Sequence, residues 1–182
     1  MKGLKPMKKK ILWITRTAIF LALLIAGQYL GKAGGQPVAG SIVNTVLITA
    51  ALTAGIYSAG TVAVLSPIFA ALAGVAPNWA LVPYIAVGNL VLVVAVSLIA
   101  GQKYKTKSIR IIMNVVGVLV GAALKCLVLW QGVQIFIVPT LTEQAAVKTM
   151  KMFAFLPQMM TALIGGAVAL IIAPVIKKAI KK

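Results

Sequence analysis

The sequence predicts an all-α membrane protein, a single integral-membrane domain over residues 1–182 with six transmembrane helices. Apolar residues make up 62% of the 182 residues and the mean hydropathy is +1.07, which is too apolar for a soluble domain of this length. Long apolar runs recur along the chain, and a helix needs about 20 such residues to cross the hydrocarbon core. Basic residues are grouped between these runs and at both ends. We therefore expect membrane-crossing helices joined by charged loops.

Six segments are candidate membrane spans. They are residues 11–30, 41–57, 59–74, 80–100, 109–132 and 153–176. We expect the second and third to form a tight helical hairpin, with a short break bracketed by Gly55 and Gly60. Pro67 removes a backbone donor from the third span, which is therefore expected to be kinked, short or irregular. The segment 131–152 is either a partly helical lid or a loose connection.

The first apolar segment is interpreted as a retained span. Lys8, Lys9 and Lys10 precede it, as basic residues precede the apolar region of a signal peptide. That region is usually about 7–15 residues long, whereas this segment runs from residue 11 to residue 30. Five comparable apolar segments follow it.

The distribution of positive charge predicts that both ends of the chain lie in the cytoplasm of a bacterial cell with the spans in its inner membrane. With six spans, three regions fall on one side and contain thirteen basic residues: Lys2, Lys5, Lys8, Lys9, Lys10, Lys103, Lys105, Lys107, Arg110, Lys177, Lys178, Lys181 and Lys182. The opposite loops contain three: Lys32, Lys148 and Lys151. An odd number of spans would separate the two tails and remove this bias.

The net charge of +17 does not indicate a nucleic-acid-binding protein. The chain has 18 Lys and Arg residues, one acidic residue (Glu143) and no His. A nucleic-acid-binding domain carries its basic residues as a stripe on a polar surface. Here they lie between apolar runs, which is typical of charges that anchor loops on one side of a bilayer.

The sequence contains little that could perform catalysis. Cys126 is the only cysteine, so no intrachain disulfide forms, and without His it offers no metal site. No phosphate-binding loop, catalytic triad or cofactor motif is present. The spans contain no Asp, Glu or His, the usual side chains of a proton relay. If the protein concentrates a solute, the energy has to come from a partner.

Polar residues recur in the external halves of the spans and predict an outward-facing pocket for a small solute. With the predicted direction, these candidate binding residues are Gln28, Asn44, Asn78, Trp79, Tyr84, Asn89, Lys125 and Gln158. Each has an alternative interpretation. Trp and Tyr are enriched at membrane interfaces, and an amide within a span often hydrogen-bonds a neighbouring helix.

Lys125 is the most informative of these residues. It lies about 10 Å inside the external end of span five at 1.5 Å per residue. A buried ammonium is costly unless it is paired or hydrated, and no span contains an acid to pair with it. Either its side chain extends to the outer surface, or it is the counter-charge for an anionic or carbonyl-rich solute.

The first span carries small residues at a helical spacing. Ala18, Ala22 and Ala26 recur every four residues and share one helix face, which lets another membrane helix approach closely. A chain of this length with six predicted spans, a basic N-terminus and this alanine face resembles the substrate-binding S components of energy-coupling factor (ECF) transporters. The looser similarities are GSIVN at 40–44, LSP at 65–67, VPYIAVGN at 82–89, LPQ at 156–158 and TALIGG at 161–166.

The resemblance implies a fold, partners and a role. S components bind a vitamin or related micronutrient near the extracellular side and topple within the membrane against a transmembrane T component, which couples to two cytoplasmic ATPases. In the family, the alanine face of the first helix docks the T component, which implies that role for Ala18, Ala22 and Ala26. No substrate signature is recognisable, and Lys125 favours a solute with a carboxylate or phosphate.

Two other functions compete with this interpretation. A stand-alone, homo-oligomeric channel or facilitator would use Gly117 and Gly121 as its packing seam, although this pair is equally suited to a contact within one chain. An intramembrane enzyme would need an acid–base pair that the sequence lacks.

Overall fold

The computed structural model describes residues 6–75 and 78–180, which are mostly helical and contain no strand. The helices are α1 (Pro6–Gly31), α2 (Gly35–Thr53), α3 (Ile56–Leu72), α4 (Val82–Ala100), α5 (Lys107–Gly132), α6 (Glu143–Phe153) and α7 (Phe155–Ile180). Short 3-10 turns occupy Lys32–Gly34, Trp79–Leu81 and Val138–Thr140, and a π-helical turn at Val133–Ile137 extends α5. The predicted all-α class is confirmed.

Four helical stretches of the described residues are long and apolar enough to cross a membrane. They are Met7–Thr53, Trp79–Ala100, Lys107–Thr140 and Glu143–Ala179, and the shorter apolar helix is Ile56–Leu72. The first stretch contains both α1 and α2. Large apolar side chains are exposed on the outside of the bundle, with Ile171 73%, Ile112 59% and Leu98 58% exposed. A lipid environment removes the cost of exposing them.

The connections between helices differ in detail from the sequence-based expectation. The break between α2 and α3 lies at Ala54 and Gly55, where Gly55 adopts φ +91°, and Gly60 lies inside α3. Helix α3 continues through the buried Pro67. The segment 131–152 is largely helical, because the π-helical turn and α6 occupy most of it. Lys2, Lys5, Lys181 and Lys182 lie outside the described residues.

The six longer helices run alternately in opposite directions. Gln28 at the end of α1, Ala70 in the last turn of α3 and Leu129 near the end of α5 line one cavity. The starts of the other three helices contribute Gln36, Ile85 and Gln158 to the same cavity. We call this side of the bundle the cavity end, and the opposite side the cleft end.

The basic connection before α5 and the basic end of α7 meet at the cleft end. Lys107 and Arg110 of α5 line a second cavity there with Lys177 and Lys178 of α7, and Leu52 at the end of α2 contributes to it. Because α1 runs antiparallel to α2, α1 begins at this end as well. The grouping of basic segments on one side of the bundle follows from this alternation of helix direction.

Close approaches between helices are made at glycines. An added Cβ atom at Gly165 of α7 would lie 2.6 Å from the backbone oxygen of Ser41 in α2. Gly121 of α5 lies against the backbone of Leu92 in α4, with 3.1 Å between its hypothetical Cβ and that carbonyl oxygen. Gly117 packs on Ala100 in the same interface. Gly117 and Gly121 therefore form a contact within the chain, and not an outward-facing seam for a homo-oligomer.

The packing of α2 on α7 predicts that Gly165→Ala is destabilising. Its methyl group would overlap backbone atoms that cannot rotate away, and overpacking of this kind costs about 1–3 kcal/mol. We expect a lower unfolding midpoint in detergent for this variant. The matched control is Gly60→Ala, whose added Cβ would lie an ordinary 3.5 Å from Leu90. Equal stability of the two variants would contradict the packing described here.

Candidate functional site

The candidate site is a cavity between the helices at the cavity end, which we call the polar cavity. Both polar and apolar side chains line it. The polar lining residues are Gln28, Gln36, Asn44, Asn89, Lys125 and Gln158. Its volume is about 100 Å³. Pockets for drug-sized ligands are usually about 300–1,000 Å³, so this cavity has room for one end of such a molecule unless it widens.

Lys125 is held at the centre of the site by two asparagines from other helices. Its Nζ donates a hydrogen bond to Oδ1 of Asn44 at 2.6 Å and to Oδ1 of Asn89 at 2.8 Å. The residue is 4% exposed, so the side chain does not extend to the outer surface. These two bonds connect α5 to α2 and α4 through one cation.

The network continues from Asn44 to α7. The Nδ2 group of Asn44 donates to the hydroxyl of Thr161 at 3.4 Å, and that hydroxyl donates to the backbone oxygen of Gln158 at 2.9 Å. The Nε2 group of Gln158 donates to the backbone oxygen of Met152 in α6 at 3.0 Å. Four long helices and α6 are thus linked by side chains around the cavity, which fixes the positions of its polar groups.

The polar cavity retains unused hydrogen-bonding capacity. An ammonium has three donors, and among the described residues only two acceptors are bonded to Lys125. The Oε1 atom of Gln28 is buried and has no partner within this part of the chain. Buried polar groups are normally satisfied, so both point to a bound solute or water.

The cavity is electropositive. No acidic residue lines it, and Glu143 is exposed in α6. The acceptors around Lys125 are neutral amides, which supply hydrogen bonds but do not neutralise the charge. An anionic group that enters would therefore meet a fixed cation that is already desolvated, and such contacts are stronger than those at a surface.

Five of the predicted binding residues come together here and three do not. Gln28, Asn44, Asn89, Lys125 and Gln158 line the polar cavity. Asn78 is exposed and accepts a hydrogen bond from the backbone of Ala80, and Trp79 is 57% exposed. Tyr84 stacks on Phe136, with 5.9 Å between ring centroids, and is absent from the cavity lining.

Besides the small and aliphatic lining residues, two polar residues and one aromatic residue of the site were not predicted from the sequence. Gln36 lines the cavity from the first turn of α2, which begins before the predicted span at residue 41. Thr161 is part of the hydrogen-bond network, but a hydroxyl within a helix normally bonds its own backbone and gives no sequence signal. Phe153 lines the cavity from the last residue of α6, whereas the sequence predicts residue 153 at the start of the sixth span and indicates no role for it.

The predicted docking residues form an exposed stripe on α1. Ala18, Ala22 and Ala26 are all exposed, whereas Phe20 and Leu24 on the other face are buried at 8% and 0% exposure. The stripe therefore has no partner among the described residues, and a second helix can approach it.

The described residues contain no group of three or more His, Cys, Asp or Glu side chains that could hold a metal ion. Cys126 is buried beside Lys125 as a small apolar side chain. The arrangement of hydrogen-bonding groups around Lys125 is suited to binding a small polar group.

Comparison with known proteins identifies the family. A family model described as the ECF transporter, substrate-specific component matches residues 13–177. The match extends from α1 to α7 and includes the polar cavity and the alanine stripe. No curated protein and no solved structure matches the chain. The resemblance drawn from the sequence is confirmed.

The network predicts energetic coupling between Lys125 and Asn89. Lys125→Met leaves two buried amide oxygens without a donor, and Asn89→Leu leaves the ammonium with one acceptor. Each change is expected to lower the free energy of unfolding by about 1–3 kcal/mol. The double variant should lose less than the sum, with a coupling of about 0.5–3 kcal/mol. The measurement is unfolding of the four proteins in detergent.

A control for this cycle uses Gln28→Leu, since the Oε1 atom of Gln28 makes no hydrogen bond within the described chain. Its effect should add to that of Lys125→Met. Additivity of Lys125→Met and Asn89→Leu would show that the two side chains do not interact.

Proposed function

The chain belongs to the substrate-specific components of ECF transporters, and we propose that it captures a vitamin or related micronutrient outside a bacterial cell and delivers it across the inner membrane. The observation that carries the proposal is the polar cavity, in which Lys125 is buried and its only hydrogen-bond partners within the described part of the chain are neutral amides. A site of this kind binds and orients a solute. The family consists of binding components of transporters, which are not enzymes.

The proposal includes six membrane spans with both chain ends in the cytoplasm. Helices α1 to α5 and α7 would be the spans, with α6 as a short helix at the outer surface. Support comes from their alternating directions and from the basic residues at the cleft end. Positive charge is retained on the cytoplasmic side, so the polar cavity would face the outside.

The proposed substrate carries a carboxylate or a phosphate. An anion would use the third donor of Lys125, and a donor group on the solute would satisfy the buried oxygen of Gln28. The cavity of about 100 Å³ is too small for a whole vitamin. Binding would therefore require the cavity to widen, and α6 with Phe153 is the segment at its border best placed to move.

The proposed partners are a T component and two cytoplasmic ATPases, which would supply the energy that this chain lacks. The exposed stripe of Ala18, Ala22 and Ala26 supports a docking role, because small side chains let membrane helices pack closely. A stand-alone facilitator has no comparable support, since Gly117 and Gly121 are used inside the chain.

Binding tests the substrate proposal. The purified chain in nanodiscs is titrated with carboxylate- or phosphate-bearing vitamins and with their uncharged analogues. We expect an anionic compound to bind, and Lys125→Met to weaken it about 10- to 100-fold, as loss of a charge-assisted hydrogen bond does. The matched control is Lys148→Met, at an exposed position of α6. Unchanged affinity in Lys125→Met, or a preference for uncharged analogues, would overturn the proposal.

Copurification tests the partner proposal. Enlarging Ala22 to Trp, or all three stripe alanines to Leu, should abolish association with a T component and its ATPases while the unfolding midpoint stays unchanged, because these positions are exposed. The control is Ala167→Leu on α7, another exposed alanine of the bundle. If the stripe and control variants associate equally, α1 is not the docking surface. Association with no such module would favour the stand-alone facilitator.

A further inference from the structure

A second cavity lies at the cleft end, and we call it the basic cleft. Its volume is about 410 Å³, and it shares no lining residue with the polar cavity. The polar part of its lining is Lys107, Arg110, Asn114, Lys177 and Lys178. The apolar part is Leu52, Ile111, Leu170, Ala173 and Pro174. Solute capture at the polar cavity makes no use of this cleft.

The charge of the basic cleft favours an anion. Four basic side chains line it and no acidic residue does, while Glu143 lies in α6 near the cavity end. Lys107, Arg110 and Lys178 bring like charges into one cleft, and an anion bound there would lower the electrostatic free energy of all three. The cleft also contains the first turn of α5, a 26-residue helix whose N-terminus carries a partial positive charge.

Asn114 gives a second, independent indication of a ligand. Its Oδ1 atom is buried and has no hydrogen-bond partner among the described residues, although it belongs to the lining of the cleft. It lies about 10 Å along the helix from Lys107 at 1.5 Å per residue. An acceptor left without a donor at this depth is costly, and a ligand hydroxyl or a water held by the ligand would satisfy it.

Because the cleft is lined by both basic and apolar side chains, it suits an amphiphile better than a soluble anion. We call the four basic residues the basic rim, and Leu52, Ile111 and Leu170 form apolar walls of the same cleft. Inorganic phosphate would occupy the rim and leave these walls uncovered. A phospholipid places its phosphate at the membrane surface and its acyl chains beside the apolar walls.

The geometry points to a binding site for an anionic phospholipid between α2, α5 and α7. The phosphate lies among Lys107, Arg110 and Lys178, a hydroxyl or bound water reaches Asn114, and an acyl chain lies along Leu170 and Ile111. The site requires only that the bundle lies in a membrane, and it is independent of the solute that the polar cavity binds. It would join the ends of three helices at the face where the chain meets the charged surface of the bilayer.

Lipid retention tests this site. The full chain is purified from nanodiscs containing equal amounts of phosphatidylglycerol and phosphatidylcholine, and the retained lipids are counted by native mass spectrometry. We expect phosphatidylglycerol to be retained in preference, and Lys107→Gln with Arg110→Gln to reduce it at least fivefold. Both positions are exposed, so folding should be unaffected. The matched control is Lys148→Gln with Lys151→Gln, two exposed basic residues of α6.

Three further measurements separate the remaining explanations. Asn114→Leu, with the basic rim intact, should lower the preference for phosphatidylglycerol over phosphatidic acid, which lacks the glycerol headgroup and its hydroxyls. Inorganic phosphate at about 10 mM, a concentration that fills an anion site with a Kd in the millimolar range, should leave the lipid bound. Release of the lipid by phosphate would assign the cleft to a soluble anion. Equal loss of lipid in the rim and control variants would overturn the site. The site would also be overturned if the rim variant retained its lipid but associated more weakly with the T component. That result would assign the cleft to a protein partner.

Discussion

The structure depends on how one buried cation is accommodated. Lys125 is buried in an apolar bundle without an acidic partner among the described residues, and a charge in that position is costly unless it is hydrogen-bonded. Asn44 and Asn89 accept hydrogen bonds from it at 2.6 and 2.8 Å. Since these residues come from α2 and α4, the same interaction determines how three helices meet. It also leaves a positive group at the cavity wall, where it can recognise a solute.

Close helix packing makes this arrangement possible. Gly165 lets α7 approach the backbone of α2, which brings Thr161 within reach of Asn44. Gly121 and Gly117 do the same for α5 and α4, whose approach places Lys125 beside Asn89. In lipid the hydrophobic effect does not drive helices together, so close packing and interhelical hydrogen bonds supply the specificity. The glycines therefore allow the close helix packing on which the hydrogen bonds of the polar network depend.

The two ends of the bundle have different chemistry. The cavity end carries amides and a single buried cation, and the cleft end carries Lys107, Arg110, Lys177 and Lys178 around an apolar cleft. Many large apolar side chains are exposed on the bundle, and α1 adds the stripe of small alanines. The polar cavity, the basic cleft and the alanine stripe are formed by different residues of the bundle.

The sequence by itself determined the helical class, the membrane character, the family, and five of the residues that line the polar cavity. These followed from local properties: apolar length, the position of charge, and the cost of polar groups such as Lys125 and Asn89 within apolar runs. Local properties did not decide which polar residues face one another. Asn78 and Trp79 are exposed in the connection before α4, and Tyr84 stacks on Phe136, so none of the three lines the cavity. Gln36 and Phe153 line the cavity from segments whose limits depend on packing. Only the tertiary structure decided that Lys125 is bonded inside the bundle and that Gly117 and Gly121 pack within the chain, since both depend on the distance and rotation between helices far apart in sequence.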